Sequence, residues 1–249
     1  MEQKQHHYYL AQLGVSVWQP RETDTALEGE STVAVMEQTP ELAPSPTSCA
    51  DQLPPNQASA DLDSSMPDWE ALSQQVANCQ RCPLSQSRTR PVFGVGHRHA
   101  DLMIVGEAPG YHEDQQGEPF VGRAGQLLNA MLASIGLQRE QIYIANILKC
   151  RPPNNRDPQS MEVAQCTPYL NRQIQLLQPK LLLTVGRFAA HFLLDTKQSL
   201  SRLRNQIHRY GDQQTPLIVS YHPAYLLRNP KDKGKSYQDL LQVMKLLKQ

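Results

Sequence analysis

Four cysteines set the strongest constraint on how this chain folds. Cys79 and Cys82 form a C-x2-C pair in a Pro-flanked stretch (CQRCPL), and far downstream Cys150 and Cys166 flank a Pro-rich stretch (CRPPNNRDP). Four thiolates converging from two distant segments bind a tetrahedral zinc ion or an iron–sulfur cluster, and spacing alone does not choose between them. The bland reading of Cys150 and Cys166, as small buried residues, loses ground once the Cys79 pair is counted. A redox-relay reading of CQRC is weaker, because the pair does not open a helix after a strand, the setting that lowers a thiol pKa. Cys49 lies in a Pro-rich stretch and is read as a bystander.

The chain has 249 residues and 39% hydrophobic content, enough for one good core. Its formal net charge of zero hides an asymmetry. Residues 1–65 hold only Lys4 and Arg21 against ten acidic residues, whereas the remainder carries 22 Lys+Arg against 14 Asp+Glu. A basic body behind an acidic leader points to a polyanionic partner for the body. No apolar run approaches the ~20 residues that span a bilayer, and no apolar stretch follows a basic N-terminus as in a secretion signal. The expectation is a cytoplasmic protein with no membrane partner, acting as a monomer, whose cysteines serve metal binding or catalysis and not a disulfide framework.

Three zones follow from composition. Residues 21–67 form an acidic, Pro-rich linker, with Pro40, Pro44, Pro46, Pro54 and Pro55 and few large apolar residues, too polar to offset its ordering entropy. Residues 1–20 carry a small apolar cluster (Tyr8, Tyr9, Leu10, Leu13, Val15, Val17, Trp18) that reads equally as a partner-docking peptide or as an element packing back on the body. Residues 68–249 are the folded domain. There, apolar runs at Leu102–Val105, 142–145, 180–185 and Leu217–Ser220 read as strands, and helical spacing marks 123–135, 160–177, 187–194 and 236–247. Alternating strands and helices predict an α/β fold, three layers α/β/α around a mostly parallel sheet.

In such sheets ligands bind beyond the carboxyl ends of the strands. Three chemically suggestive residues stand there: Glu107, Asn146 and His222. Gly106-Glu107-Ala108-Pro109-Gly110 is a tight turn whose backbone N–H groups can face a ligand, but no Gly-Lys-Ser/Thr follows to make it a phosphate loop. Glu113 and Asp114 add carboxylates, and Phe120 sits between glycines in GEPFVGRAG, suited to stacking on a planar ligand or to an ordinary core place. The amide of Asn146 can read an imide edge that offers a carbonyl and an N–H. His222 opens HPAYLLR beside a proline-initiated turn.

GEAPG, EDxxGxPFVGxAGQLL, NxxKCRPPxNRxP and HPAYLLRNP, together with the four cysteines, closely resemble the family 4 uracil-DNA glycosylases over nearly all of residues 75–245. The resemblance implies a monofunctional glycosylase that hydrolyses the N-glycosidic bond of deoxyuridine in DNA, in base excision repair. It also implies a [4Fe–4S] cluster on Cys79, Cys82, Cys150 and Cys166, and not zinc. Phe120 would stack on the flipped uracil, Asn146 would bond its O4 and N3 edge, and His222 would donate to O2. Gly106 and Ala108 would line the base site, and Ala108 stands where family 1 enzymes carry a water-orienting Asp, which leaves Glu107 or Glu113 for that task. Leu226 or Leu227 would wedge into the base stack, while Arg228 and the run Lys231, Lys233, Lys235 would contact phosphates, the run reading equally as a solvated loop. The KCRPPNNRDP loop departs from that of the covalent uracil-binding relatives, so irreversible trapping is not expected. LAQLGVSVW resembles the N-terminal peptide of the bacterial DNA polymerase III psi subunit, which implies docking of residues 7–20 on the clamp loader. The competing function is a replisome-tethered module that binds damage without releasing a base.

Overall fold

The computed structural model describes residues 69–248. The expected docking peptide over 1–20 and linker over 21–67 lie outside the described residues. Four parallel strands form the centre of the sheet: β2 (Leu102–Gly106), β3 (Tyr143–Asn146), β4 (Leu181–Val185) and β6 (Thr215–Ser220). Two short antiparallel strands, β1 (Val95–Gly96) and β5 (His208–Tyr210), close the edges, giving the order β1-β3-β2-β4-β6-β5. The chain runs outward from β2 to β3 and then crosses back to β4 on the other side of β2. Its switch point therefore lies between β2 and β4, where open α/β sheets build their ligand crevice.

Side-chain alternation along the strands builds two cores. On one face Leu102, Ile104, Ile144, Leu183 and Ile218 pack with Leu128, Met131 and Leu132 of α4 (Arg123–Ala133) and with Tyr237, Leu240 and Val243 of α9 (Lys233–Leu247). On the other, Met103, Val105, Ala145, Leu182 and Val219 meet Trp69 of α1 (Trp69–Ala77), Leu170 and Ile174 of α5 (Ser160–Leu177), and Ala189 and Leu193 of α6 (Arg187–Leu194). Strands buried on both faces read as continuous apolar runs, each large aliphatic side chain contributing about 1.5–3 kcal/mol on burial. These are the three expected layers.

The remaining helices are short: α2 (Leu84–Ser87), α3 (Tyr111–Gln116), α7 (Leu200–Leu203) and α8 (Pro223–Arg228). They stand in the connections that carry the site. Among the described residues no helix is long and apolar enough to cross a membrane.

Candidate active site

The crevice begins with a register. Gly106 at the end of β2 lies opposite Asn146 at the end of β3, and the two loops continue together through Ile147 N–H to Gly106 O and Leu148 N–H to Glu107 O, both 3.0 Å. Position 106 has room for nothing but hydrogen: a Cβ there would meet Asn146 Oδ1 at 2.3 Å and the edge of the Phe120 ring at 3.0 Å. Asn146 is 2% exposed, and its Oδ1 is buried with no hydrogen-bond partner. A buried acceptor left unsatisfied in a packed site costs free energy and marks a place for a ligand donor. Its main chain is held from behind, where the buried Lys149 ammonium donates to the Asn146 carbonyl at 2.8 Å and to Gln173 Oε1 at 2.6 Å. Burial pushes the Lys149 pKa down to about 8, against the pull of Cys166 and Cys150.

Phe120 and His222 complete the group. Their rings lie 5.5 Å apart at 30°. His222 caps α8, and its Nδ1 accepts the Ala224 N–H at 3.1 Å, so the neutral ring carries its proton on Nε2. Burial, with Arg228 adding to it and Glu113 opposing, pushes the imidazole down to about 4. The side chain passes over Gly186, whose φ of 98° and missing Cβ, which would lie 3.1 Å from His222 Cβ, admit it. The sequence reading missed Gly186; its position directly after β4, at the same carboxyl edge where Gly106 ends β2, was the available signal.

The two candidate carboxylates are placed differently. Glu107 is half-buried, and burial and then Asp157 raise its carboxyl above the usual range, with Arg187 opposing. Glu113 Oε1 accepts the N–H groups of Val121 and Gly122 at 3.0 and 3.2 Å, so this carboxylate binds the N-terminus of α4 to α3. Asp114 is buried and accepts the Thr89 N–H at 2.9 Å.

One expectation needs correction. Leu226 is fully buried in the core beside α4 and cannot wedge into a base stack without unravelling α8; Leu227, 37% exposed, is the leucine that faces solvent. The Ala108 methyl packs against the cysteine-lined cluster. Arg228 is exposed as a phosphate contact requires, and so is Lys231, whereas Lys235 pairs with Asp232 at 2.8 Å.

The four cysteines come to one place in the fold. Cys79, Cys82, Cys150 and Cys166, all free thiols, line one cavity together with Arg81, Arg88, Lys149 and Tyr169. Arg88 Nη1 donates to Cys150 Sγ at 3.0 Å, its Nη2 holds the Ala77 and Cys79 carbonyls at 3.0 Å, and the Lys149 N–H donates to Cys166 Sγ at 3.3 Å. Arg81 Nη1 is buried with no acceptor. Three cations around four thiols, one with an orphaned donor, fit an anionic group. Burial pushes Cys166 up to about 12 and raises Cys82 and Cys150, so without a metal these thiols stay protonated, whereas coordination deprotonates a thiol outright. Among the described residues no three His, Cys, Asp or Glu side chains stand close enough to share a single metal ion. The loop between the last two cysteines is pinned by Arg156, whose guanidinium donates to both carboxylate oxygens of the buried Glu162 at 2.9 and 2.5 Å.

Gly106, Phe120, Asn146 and His222 come together at the carboxyl edge of an α/β sheet, and residues 93–247 match the model of the uracil DNA glycosylase superfamily. The chain is 42% identical over 188 residues to the type-4 uracil-DNA glycosylase of Archaeoglobus fulgidus, covering 73% of this chain and 94% of that protein. It is 39% identical over 188 residues to that of Sulfurisphaera tokodaii (73% and 86%), and 43% identical over 162 residues to that of Thermotoga maritima (64% and 83%). The chain belongs to the type-4 uracil-DNA glycosylase family.

Proposed function

We propose that the protein hydrolyses the N-glycosidic bond of deoxyuridine in DNA and leaves an abasic site with the strand intact. The observation that carries this reading is the orphaned Oδ1 of Asn146, buried between Gly106 and the Phe120 ring. Chemistry on a base requires that it leave the stack and be read at its Watson–Crick edge. Uracil offers an N3–H to Asn146 Oδ1 and its O4 to Asn146 Nδ2. Cytosine has no N3–H and carries a donor at C4, which would leave buried groups unpaired, a mismatch worth ~10⁴ or more in selectivity.

As the bond to the sugar breaks, negative charge grows on the departing base. His222, neutral and protonated at Nε2, donates to O2 there; a single preorganised donor of this kind contributes about 10²–10³ in rate. Glu107 is assigned to the attacking water, because the Oε1 of Glu113 is already engaged by two backbone N–H groups. The buried Lys149 is committed to Asn146 O and Gln173 Oε1 and is not free to act as an amine nucleophile. This favours simple hydrolysis over a Schiff-base route.

The four cysteines are proposed to hold a [4Fe–4S] cluster. The reading is supported by the family resemblance, by the cationic lining of the cavity that the four thiols share, and by the orphaned Arg81 donor. Cys79 and Cys82 would then hold the cluster together with Cys150, in the loop that follows Asn146, and Cys166 of α5, which would tie these segments to one another. Residues 7–20 are proposed to dock on the clamp loader, a reading supported by their resemblance alone; pull-down lost on Trp18→Ala is the expected result.

The function is tested by incubating the protein with a uracil-containing oligonucleotide and measuring free uracil and strand integrity. Free uracil with cleavage only after alkali is expected. Release of no base sinks the hydrolase, and direct strand cleavage sinks the monofunctional form.

A further inference from the structure

Phe120 holds a left-handed backbone, φ 54°, which a bulky residue adopts only where its surroundings impose it. Three groups from separate elements do so. Glu113 on α3 accepts the next two N–H groups, those of Val121 and Gly122. Gly125 in α4 makes room, since a Cβ there would lie 1.7 Å from the Phe120 carbonyl oxygen. The third is Arg139, in the 3-10 turn Arg139–Gln141 that leads into β3.

The Arg139 guanidinium donates Nη2 to the Pro119 carbonyl and Nη1 to the Phe120 carbonyl, the latter at 3.3 Å, and Nη1 also reaches Asn129 Oδ1 at 3.4 Å. Its bonds go to carbonyl and amide oxygens, not to a carboxylate. A rigid fork spanning two successive carbonyls ties down the two peptide planes on either side of the Phe120 Cα, and only arginine supplies that fork. The two planes so held set φ and ψ of Phe120, and the direction in which its side chain leaves the backbone follows from them.

We propose that Arg139 is a positioning residue for base capture, clamping the Pro119 and Phe120 carbonyls so that the Phe120 ring is held at the height and tilt on which the flipped uracil stacks. The proposal rests on the reading of Phe120 as the stacking partner and assigns Arg139 an action only through that ring.

The test is a double-mutant cycle on the full chain: intact protein, Phe120→Ala, Arg139→Gln and the double variant, each measured for inhibition by free uracil and for affinity to an abasic-site duplex. Phe120→Ala is expected to weaken uracil binding by about 5- to 150-fold, the range of base–aromatic stacking. Arg139→Gln should weaken it about tenfold. The double variant should bind uracil within about twofold of Phe120→Ala alone, and abasic-duplex affinity should be unchanged throughout. Arg139→Lys, which keeps the charge and reaches one carbonyl, should recover part of the loss. If Arg139→Gln does not fold, Arg139→Lys replaces it and the same non-additivity is required. Intact-like uracil binding in the Arg139 variant, or losses that multiply fully in the double variant, overturn the proposal. Intact-like binding by Phe120→Ala overturns the stacking reading instead, and so separates the two failures.

Discussion

Gly106 and Asn146 meet across the β2–β3 register so closely that one methyl group decides whether the pocket exists. Gly106→Ala should therefore abolish uracil release, by at least about 100-fold, because Asn146 or Phe120 must move off the geometry that positions the base; steady-state rates beside an unchanged melting temperature check it. Titration gives a second test. Burial raises Glu107 above its usual 4.5 and lowers His222 to about 4, and the proposed chemistry needs the first ionised and the second neutral. As pH falls Glu107 protonates first, so the acid limb of the rate profile should belong to Glu107 and flatten in Glu107→Gln, with a lower plateau. Stability follows His222: its folded-state value lies below the 6.5 of the unfolded chain, so it contributes stability above pH 6.5 that is lost as pH falls towards 4. The melting temperature of the intact protein should drop more steeply across that window than that of His222→Gln. Asn146 and His222 were legible as strand-end residues and Phe120 as an aromatic between glycines. Gly186, Arg139 and the true use of Glu113 were not, because a backbone approach or a bond between remote loops leaves no local pattern.

At the scale of elements, the long apolar runs announced their strands. The run Leu102–Val105 became β2 with Gly106 added, and the helices at 160–177 and 187–194 have the bounds their spacing gave. Edge strands β1 and β5, of two and three residues, are too short for any period to show, and α1 fell beyond the apolar runs that were read. The joint that supports the His222 loop was equally hidden. Arg204, just past α7, sends Nε and Nη2 to the two oxygens of Asp239 on α9 at 2.8 Å, and Ser220 Oγ at the end of β6 donates to the same carboxylate at 2.7 Å. Both ions are buried, so removing one strands the other without solvent. Asp239→Ala should cost about 3–5 kcal/mol in urea denaturation, while Arg98→Ala, whose pair with Glu70 is exposed, should change stability by less than about 1 kcal/mol.

Across the whole molecule the cysteine pattern was the most legible feature, because four ligands from two remote segments can converge in few ways, yet the choice of iron over zinc came from the family and not from spacing. The assignment predicts iron and sulfide, about four of each per chain, and no stoichiometric zinc. It also predicts that Cys166→Ser lowers the melting temperature together with iron content. Stoichiometric zinc in active protein would contradict it. The central claim is that Asn146 and His222 form the pocket of a hydrolase, and it is tested most directly by single-turnover uracil release from a labelled oligonucleotide by the intact, iron-loaded protein, Asn146→Ala and His222→Ala. Release by the intact protein, reduced about 10²–10³-fold in His222→Ala and strongly in Asn146→Ala, is the predicted result. No release by the iron-loaded protein, or intact rates in both variants, would contradict it.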